Sequence, residues 1–150
     1  MDEFINSSIK IFDRDIQLAI DELEKYKKDE DIWILPSGIN NSAGTLALHL
    51  SGNLQYFVGT ILGGSDYKRD RPNEFAARDI PRPEVIAEFK KAKLLVHETL
   101  ESLDPAILSE DYPASWYDKP VSNYFILTHL MGHLNYHLGQ INYHRRLLTE

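Results

Sequence analysis

The sequence predicts an all-α protein, a four-helix bundle with two long connecting loops. Apolar residues recur at steps of three and four along four separate stretches, which is the period of an amphipathic helix. No stretch shows the alternation of polar and apolar residues that is typical of a strand. Because each amphipathic helix must bury one face, four of them pack around a shared core. We expect residues 1–150 to form a single domain, since a chain of this length can bury one such core.

The first two predicted helices cover residues 2–27 and residues 43–62. The apolar stripe of the first consists of Phe4, Ile5, Ile9, Phe12, Ile16, Ile20 and Leu23. The stripe of the second consists of Leu46, Leu50, Leu54, Phe57 and Ile61. Successive residues of a helix are rotated by about 100°, which places His49 and Asn53 at the edge of the second stripe. We therefore expect His49 to point into the bundle.

The third and fourth predicted helices cover residues 83–103 and residues 121–148, and a long connector precedes each of them. Residues 65–84 are polar, contain three prolines and show no clear period, so we predict an irregular crossover or a lid over a site. Residues 104–120 are also predicted to be irregular. Trp116 lies among the aromatic residues of this second connector, which can wall a pocket.

Composition excludes several classes of function. The net charge of −7, without a stripe of lysine and arginine, argues against binding to nucleic acid or to an anionic membrane. The chain has no cysteine, so it forms no disulfide and offers neither a thiol nucleophile nor a thiolate metal ligand. We find no secretory signal pattern and no apolar run of about 18 residues that would span a bilayer. These features predict a cytoplasmic protein.

Histidines are concentrated in the fourth predicted helix, which contains four of the six: His129, His133, His137 and His144. Residues four apart on a helix lie one turn above each other, so His129 and His133, or His133 and His137, can bind one metal ion together. His49 is the candidate for a third ligand. From spacing alone, a metal-free network of hydrogen-bonded His, Gln and Tyr side chains is equally compatible with the pattern.

A site with three histidine ligands would keep positions open for water or substrate, as catalytic rather than structural zinc sites do. The HExxH motif is absent, because no glutamate lies between His133 and His137. The metalloprotease interpretation therefore lacks its general base. We interpret the two other histidines, His97 and His144, as surface or edge residues.

The fourth predicted helix is apolar or semi-polar around most of its circumference. Such a helix is typically covered on more than one side, and we therefore predict a homodimer. Gly132 and Gly139 interrupt this helix at a cost of about 1 kcal/mol each relative to alanine. We interpret them as positions of close helix packing, in preference to room left beside the metal ligands.

Two motifs in combination resemble the DinB-like (DinB/YfiT) superfamily of metalloenzymes. They are the helix-two histidine in LALHLSGN and the later segment HLNYHLGQI. The loop RDRPNEFAARD and the ending GQINYHRRLL further resemble an uncharacterised bacterial subfamily. The resemblance extends over nearly the whole chain, with the helices in the same order.

The resemblance implies a bundle, commonly dimeric, in which three histidines bind a divalent metal, often zinc or nickel. By motif position these are His49, His133 and His137, and His129 becomes a residue that lines the site. Better-understood members of the superfamily are transferases and isomerases that use a thiol such as bacillithiol, mycothiol or glutathione. Asn135 and Tyr136, between the two later histidines, match no single transferase branch, so the particular reaction is left open.

We therefore expect a metal-dependent enzyme acting on a small-molecule substrate, with thiol S-transfer as the first hypothesis. Ligand histidines usually hydrogen-bond an outer partner through their other nitrogen. Asn53, Tyr136 and Gln140 are the candidates for that role. The alternatives are a non-catalytic dimeric bundle with a structural metal or none, and a metal-dependent hydrolase.

The first long connector offers Arg69, Arg71 and Arg78 as candidates for binding carboxylates of a thiol cofactor or substrate. For each of them taken singly, a solvated position in a loop is the more usual role.

Overall fold

A computed structural model describes residues 2–148, and no strand occurs among them. The α-helices are α1 (Glu3–Glu24), α2 (Ala43–Leu54), α3 (Arg71–Ala76), α4 (Arg82–Ser102) and α5 (Asn123–Leu148). Shorter helical segments are the 3₁₀-helices Asp29–Trp33 and Pro105–Ser109 and the π-helix Gln55–Leu62. The predicted all-α bundle is confirmed. None of the described helices combines the length and the apolar character that crossing a membrane requires.

Four long helices surround one core. Helix α1 packs against α4 and α5, and α2 packs against the same two helices. The predicted stripe of α1 faces this core, where Phe12 and Ile16 are completely buried. Asp2 caps α1 by accepting hydrogen bonds from the backbone N–H groups of Phe4 and Ile5, which satisfies donors that the helix leaves unpaired.

Helix α2 continues directly into the π-helix, whose wider turns change the apolar face that the sequence predicts. Val58 is fully buried, whereas Phe57 is only partly buried and contacts the ring of Trp116 at 3.9 Å between centroids. The Phe57 carbonyl accepts a hydrogen bond of 2.8 Å from the Tyr112 hydroxyl. The π turns thus direct Phe57 towards the second connector. The π-helix ends at Leu62, and the chain then turns at Gly64, whose φ of +68° suits glycine.

The prediction of an irregular connector over residues 65–84 was wrong, because α3 lies within it. The Asp70 side chain caps α3 by accepting from the backbone N–H of Asn73 at 3.1 Å. Pro72 occupies the first turn, where its missing N–H costs little. A helix of six residues is too short to show an apolar period. The capping residue Asp70 was therefore the main sign of α3 in the sequence.

Gly132 and Gly139 are not packing positions within this chain, as far as the described residues show. A Cβ atom added at either residue would meet no other atom within 4 Å. Both lie on an exposed side of α5, together with Tyr136 and Tyr143, each 66% exposed, and Leu147, 76% exposed. The glycines therefore neither admit another helix of this chain nor make room beside the histidines.

Candidate metal centre

His49, His133 and His137 come together between α2 and α5. His49 lies in the middle of α2 and is buried, whereas His133 and His137 are partly buried on α5. Each of the three offers a ring nitrogen, and these nitrogens all lie within 4.8 Å of one another. His129 is not a member of this group, so the structure selects the His133/His137 pair of the two that the spacing allowed. The three histidines form a group that can hold a metal ion.

The distance between His49 and His133 suits two ligands of one ion. Their Nε2 atoms are 3.2 Å apart. Two nitrogens bonded at about 2.0–2.1 Å in a tetrahedral zinc site lie about 3.3 Å apart. Nitrogen lone pairs that face each other at this distance repel unless a proton or a cation lies between them. The observed approach therefore fits a site for a cation.

The other ring nitrogens of two of these histidines have acceptor partners. His49 Nδ1 lies 3.1 Å from Glu74 Oε1, and His137 Nδ1 lies 2.6 Å from Gln140 Oε1. Because carboxylate and amide oxygens only accept, we assign the proton of each ring to Nδ1. The Nε2 atoms then carry free lone pairs, which is the tautomer that a metal requires.

His133 lacks such a partner. Its Nδ1 is buried and has no hydrogen bond within the described part of the chain. Burial, assisted by the neighbouring His137 and His49, lowers the pKa of His133 to about 3. Burial also lowers the pKa of His137, although the hydrogen bond to Gln140 opposes the shift. Both rings are therefore neutral at pH 7, which is the form that binds metals.

The remaining predicted residues take different positions around the group. Gln140 hydrogen-bonds His137, as described above. The ring of His129 lies 6.3 Å from that of His133 and 5.2 Å from that of Trp116. Tyr136 is mostly exposed, with its ring 5.2 Å from that of His137. Asn53 is buried, but its Oδ1 has no hydrogen-bond partner among the residues that the structure describes.

Glu74, which sequence reasoning missed, is a buried residue in the first turn of α3. Burial by itself would raise the pKa of Glu74, but the hydrogen bonds from His49 and Arg69 and the charge of Arg69 outweigh it and lower the pKa. The side chain is therefore a carboxylate. Recognising Asp70 and Pro72 as a helix start would have drawn attention to it.

Arg69 is not a solvated loop residue, contrary to expectation. Its Nε and Nη2 each donate to a Glu74 oxygen at 2.9 Å, and its side chain is 11% exposed. Arg71 and Arg78 are exposed, as expected for solvated arginines. Arg71 lies over the Phe75 ring, whereas Arg78 donates to backbone carbonyls of its own loop.

His144 is not a surface or edge residue, also contrary to expectation. It is 4% exposed, and each of its ring nitrogens has a hydrogen-bond partner in the protein. The partners, Tyr26 and Ile34, come from the segment between α1 and α2, which no local pattern in α5 could reveal. His97 is half-exposed and lies 2.8 Å from Asp13, as expected for an edge residue.

A family model described as "Protein of unknown function (DUF1572)" matches residues 1–150. The chain belongs to this family, which is DinB-like. The match agrees with the resemblance to the DinB-like superfamily that the two histidine motifs indicate. No curated protein matches the chain.

Proposed function

We propose that this protein is a divalent-metal-dependent enzyme whose metal ligands are His49, His133 and His137. The observation that carries the proposal is the convergence of the three imidazoles, with the Nε2 atoms of His49 and His133 at 3.2 Å. Acceptors that hold the Nδ1 protons of His49 and His137 support it. Zinc and nickel are the metals we propose, because neutral imidazole suits both.

We propose thiol S-transfer as the reaction. A metal ion held by His49, His133 and His137 would supply a Lewis acid that can ionise a thiol. The sulfur would form a bond to an electrophilic carbon as the leaving group departs with its electron pair, and the thiol proton would pass to solvent. Hydrolysis would also need a general base. Glu74, the carboxylate nearest to the histidines in the described contacts, already binds His49 and Arg69, which favours the thiol chemistry.

A cavity that reaches Gln140 supports a small-molecule substrate, although its lining includes His144 and none of the three candidate ligands. It has a volume of about 500 Å³ and lies between residues 36–41 and the second half of α5. Gln140, which hydrogen-bonds His137, lines this cavity. The other lining residues include Asn41, Tyr143 and Leu147 but no lysine, arginine, aspartate or glutamate. We therefore propose a neutral, partly apolar substrate.

We also propose that the protein is a homodimer. The exposed side of α5 carries Tyr136, Tyr143 and Leu147 around two glycines without side chains. Large apolar side chains on one face, with room for close approach between them, are typical of a surface that another chain covers. Light scattering at micromolar concentration tests this, and a mass of one chain would contradict it.

Elemental analysis of untagged protein tests the metal site. We expect about one metal ion per chain in the wild type and His97→Ala, and almost none in His49→Ala or His133→Ala. His97→Ala is the matched control, since that histidine pairs with Asp13 away from the group. Sub-stoichiometric metal that His133→Ala leaves unchanged would instead support the non-catalytic bundle.

A screen of the metal-loaded protein then separates the two reactions. Thiol-dependent consumption of an electrophile, lost in His133→Ala, would support S-transfer. Turnover of activated esters or amides without added thiol would contradict S-transfer and support the hydrolase.

A further inference from the structure

We propose that Glu74, held in place by Arg69, is a positioning residue that fixes the tautomer of His49 and thereby sets the metal affinity of the site. The inference rests on the proposed metal-binding function. It assigns a role in that function to the segment between α2 and α4, which contributes none of the three histidines.

The contact between Glu74 and His49 is buried on both sides. The Glu74 and His49 side chains are 7% and 8% exposed, and the distance between Oε1 and Nδ1 is 3.1 Å. An isolated carboxylate in such a place would be costly. The two hydrogen bonds from Arg69 compensate that cost. Glu74 can therefore remain charged and accept the Nδ1 proton of His49.

Arg69 also lies close enough to His49 to favour the wrong tautomer. Its Nη2 is 3.4 Å from His49 Nδ1, and a guanidinium only donates. A hydrogen bond between them would require a bare Nδ1 and would move the proton to Nε2, where it would block a metal. Glu74 excludes this arrangement, because it gives Nδ1 a shorter, charged acceptor and engages Nη2 at 2.9 Å. Removing Glu74 should therefore reverse the preference of His49 for its tautomer.

Gly52 makes this approach of Glu74 possible. A Cβ atom at position 52 would lie 2.0 Å from Glu74 Oε2 and 2.7 Å from its Cδ, far inside contact distance. Gly52 lies three residues after His49 on α2, and both face the same carboxylate. Glycine inside a helix costs about 0.5–1 kcal/mol relative to alanine. Here the missing side chain has a specific consequence, since it admits the carboxylate beside His49.

Phe75 packs against His49, and Phe57 packs against Arg69. The Phe75 ring follows Glu74 in α3 and contacts the His49 ring at 4.9 Å between centroids. The Arg69 guanidinium lies over the Phe57 ring at 5.5 Å. The segment thus covers His49 with an aromatic ring and a carboxylate, while the arginine is packed on the π-helix.

Zinc affinity, measured by competition with a chromophoric chelator, provides the first test. We expect Glu74→Leu and Gly52→Ala each to bind zinc about 10–100-fold more weakly than the wild type, the usual effect of losing an outer partner of a ligand histidine. Leucine removes the acceptor oxygens, whereas glutamine would keep one. The Gly52→Ala variant displaces the carboxylate without removing a charge. Glu22→Leu is the matched control, since it removes another buried carboxylate from its arginine, Arg145, and should leave the affinity unchanged.

The tautomer of His49 in the metal-free protein provides the second test, and a merely structural role would not alter it. Long-range ¹H–¹⁵N correlation spectra distinguish the two tautomers, and His49→Ala assigns the signals. We expect a proton on Nδ1 in the wild type and a shift towards Nε2 in Glu74→Leu and Gly52→Ala. Circular dichroism checks that each variant is folded, and Gly52→Ala carries the test if Glu74→Leu is not.

The outcomes separate this inference from the proposed function. Wild-type zinc affinity and an unchanged tautomer in both variants would overturn the role of Glu74 while the metal site stood. A wild type that binds no metal would overturn the proposed function. In that case the spectra would still decide whether Glu74 fixes the tautomer of His49.

Discussion

His133 and His144 are two imidazoles that α5 directs inward, and their hydrogen bonding differs completely. His144 accepts from the Tyr26 hydroxyl at Nδ1, at 2.6 Å, and donates from Nε2 to the Ile34 carbonyl, at 2.7 Å. His133 directs Nε2 at another imidazole nitrogen, and residues 2–148 offer its Nδ1 no partner. Burial lowers the pKa of both rings. Burial and a lowered pKa therefore do not distinguish a candidate ligand from a structural histidine, whereas the partners of the two nitrogens do.

The largest expected difference between the two regions concerns metal affinity. We expect His133→Ala to weaken zinc binding by more than about 100-fold, because even outer partners of ligand histidines are worth about 10–100-fold. His144→Ala should leave zinc affinity within about twofold of the wild type, since both of its nitrogens already bind protein groups. Calorimetric titration measures both. Equal losses of zinc affinity in the two variants would contradict the assignment of His133 as a ligand and His144 as a structural histidine.

The free energy of unfolding, in contrast to zinc affinity, should depend strongly on His144. His144→Ala leaves the buried Tyr26 hydroxyl and the backbone carbonyl of the exposed Ile34 without their partner. A buried unsatisfied group costs about 1–3 kcal/mol, and the loss of the packed imidazole adds to that cost. We expect the free energy of unfolding in urea to fall by about 2–4 kcal/mol. His97→Ala, at a half-exposed position, serves as the control and should change it by less than about 1 kcal/mol. An unchanged stability in His144→Ala would show that its hydrogen bonds are dispensable.

Acid should destabilise both regions of the metal-free protein. The pKa of His133 falls from 6.5 to about 3 on folding, and that of His144 is lowered as well. Below pH 6.5 the unfolded chain takes up protons that the folded chain refuses, so stability decreases with falling pH by up to about 1.4 kcal/mol per unit for each group. Urea unfolding at pH 7.5, 6.5 and 5.5 measures this. A free energy of unfolding that increases from pH 7.5 to pH 5.5 would contradict the assignment of both imidazoles as neutral in the folded protein.

The smallest effect is expected at the exposed glycines of α5. Within one chain, Gly132→Ala meets open space. In protein dilute enough to be monomeric it should therefore raise the free energy of unfolding by about 0.5–1 kcal/mol, through its better helix propensity. Thermal unfolding of the dilute protein measures the gain, and a loss there would contradict the open space. A loss that appears only at higher protein concentration would support the homodimer proposed above, because a second copy would then cover this face. Gly52→Ala provides the contrast, because its Cβ would collide with Glu74.

Local patterns in the sequence were enough to determine the all-α class, the approximate limits of the four long helices and the inward direction of His49. They sufficed because an amphipathic helix repeats its signal every turn over some twenty residues, as in α1. The four-residue spacing of His133 and His137 placed both on one face for the same reason. His49 was already the candidate for the third ligand, and the family resemblance chose His137 over His129 as its partner beside His133.

Only the tertiary structure decided which polar groups the histidines meet. Glu74 reaches His49 from a helix of six residues, too short for a period, and through the space left by Gly52. Tyr26 and Ile34 reach His144 from more than a hundred positions away. A sequence specifies the donors and acceptors on each side chain, but their pairing depends on how separate helices pack. That pairing is what separates the candidate metal ligands from the structural histidine in this protein.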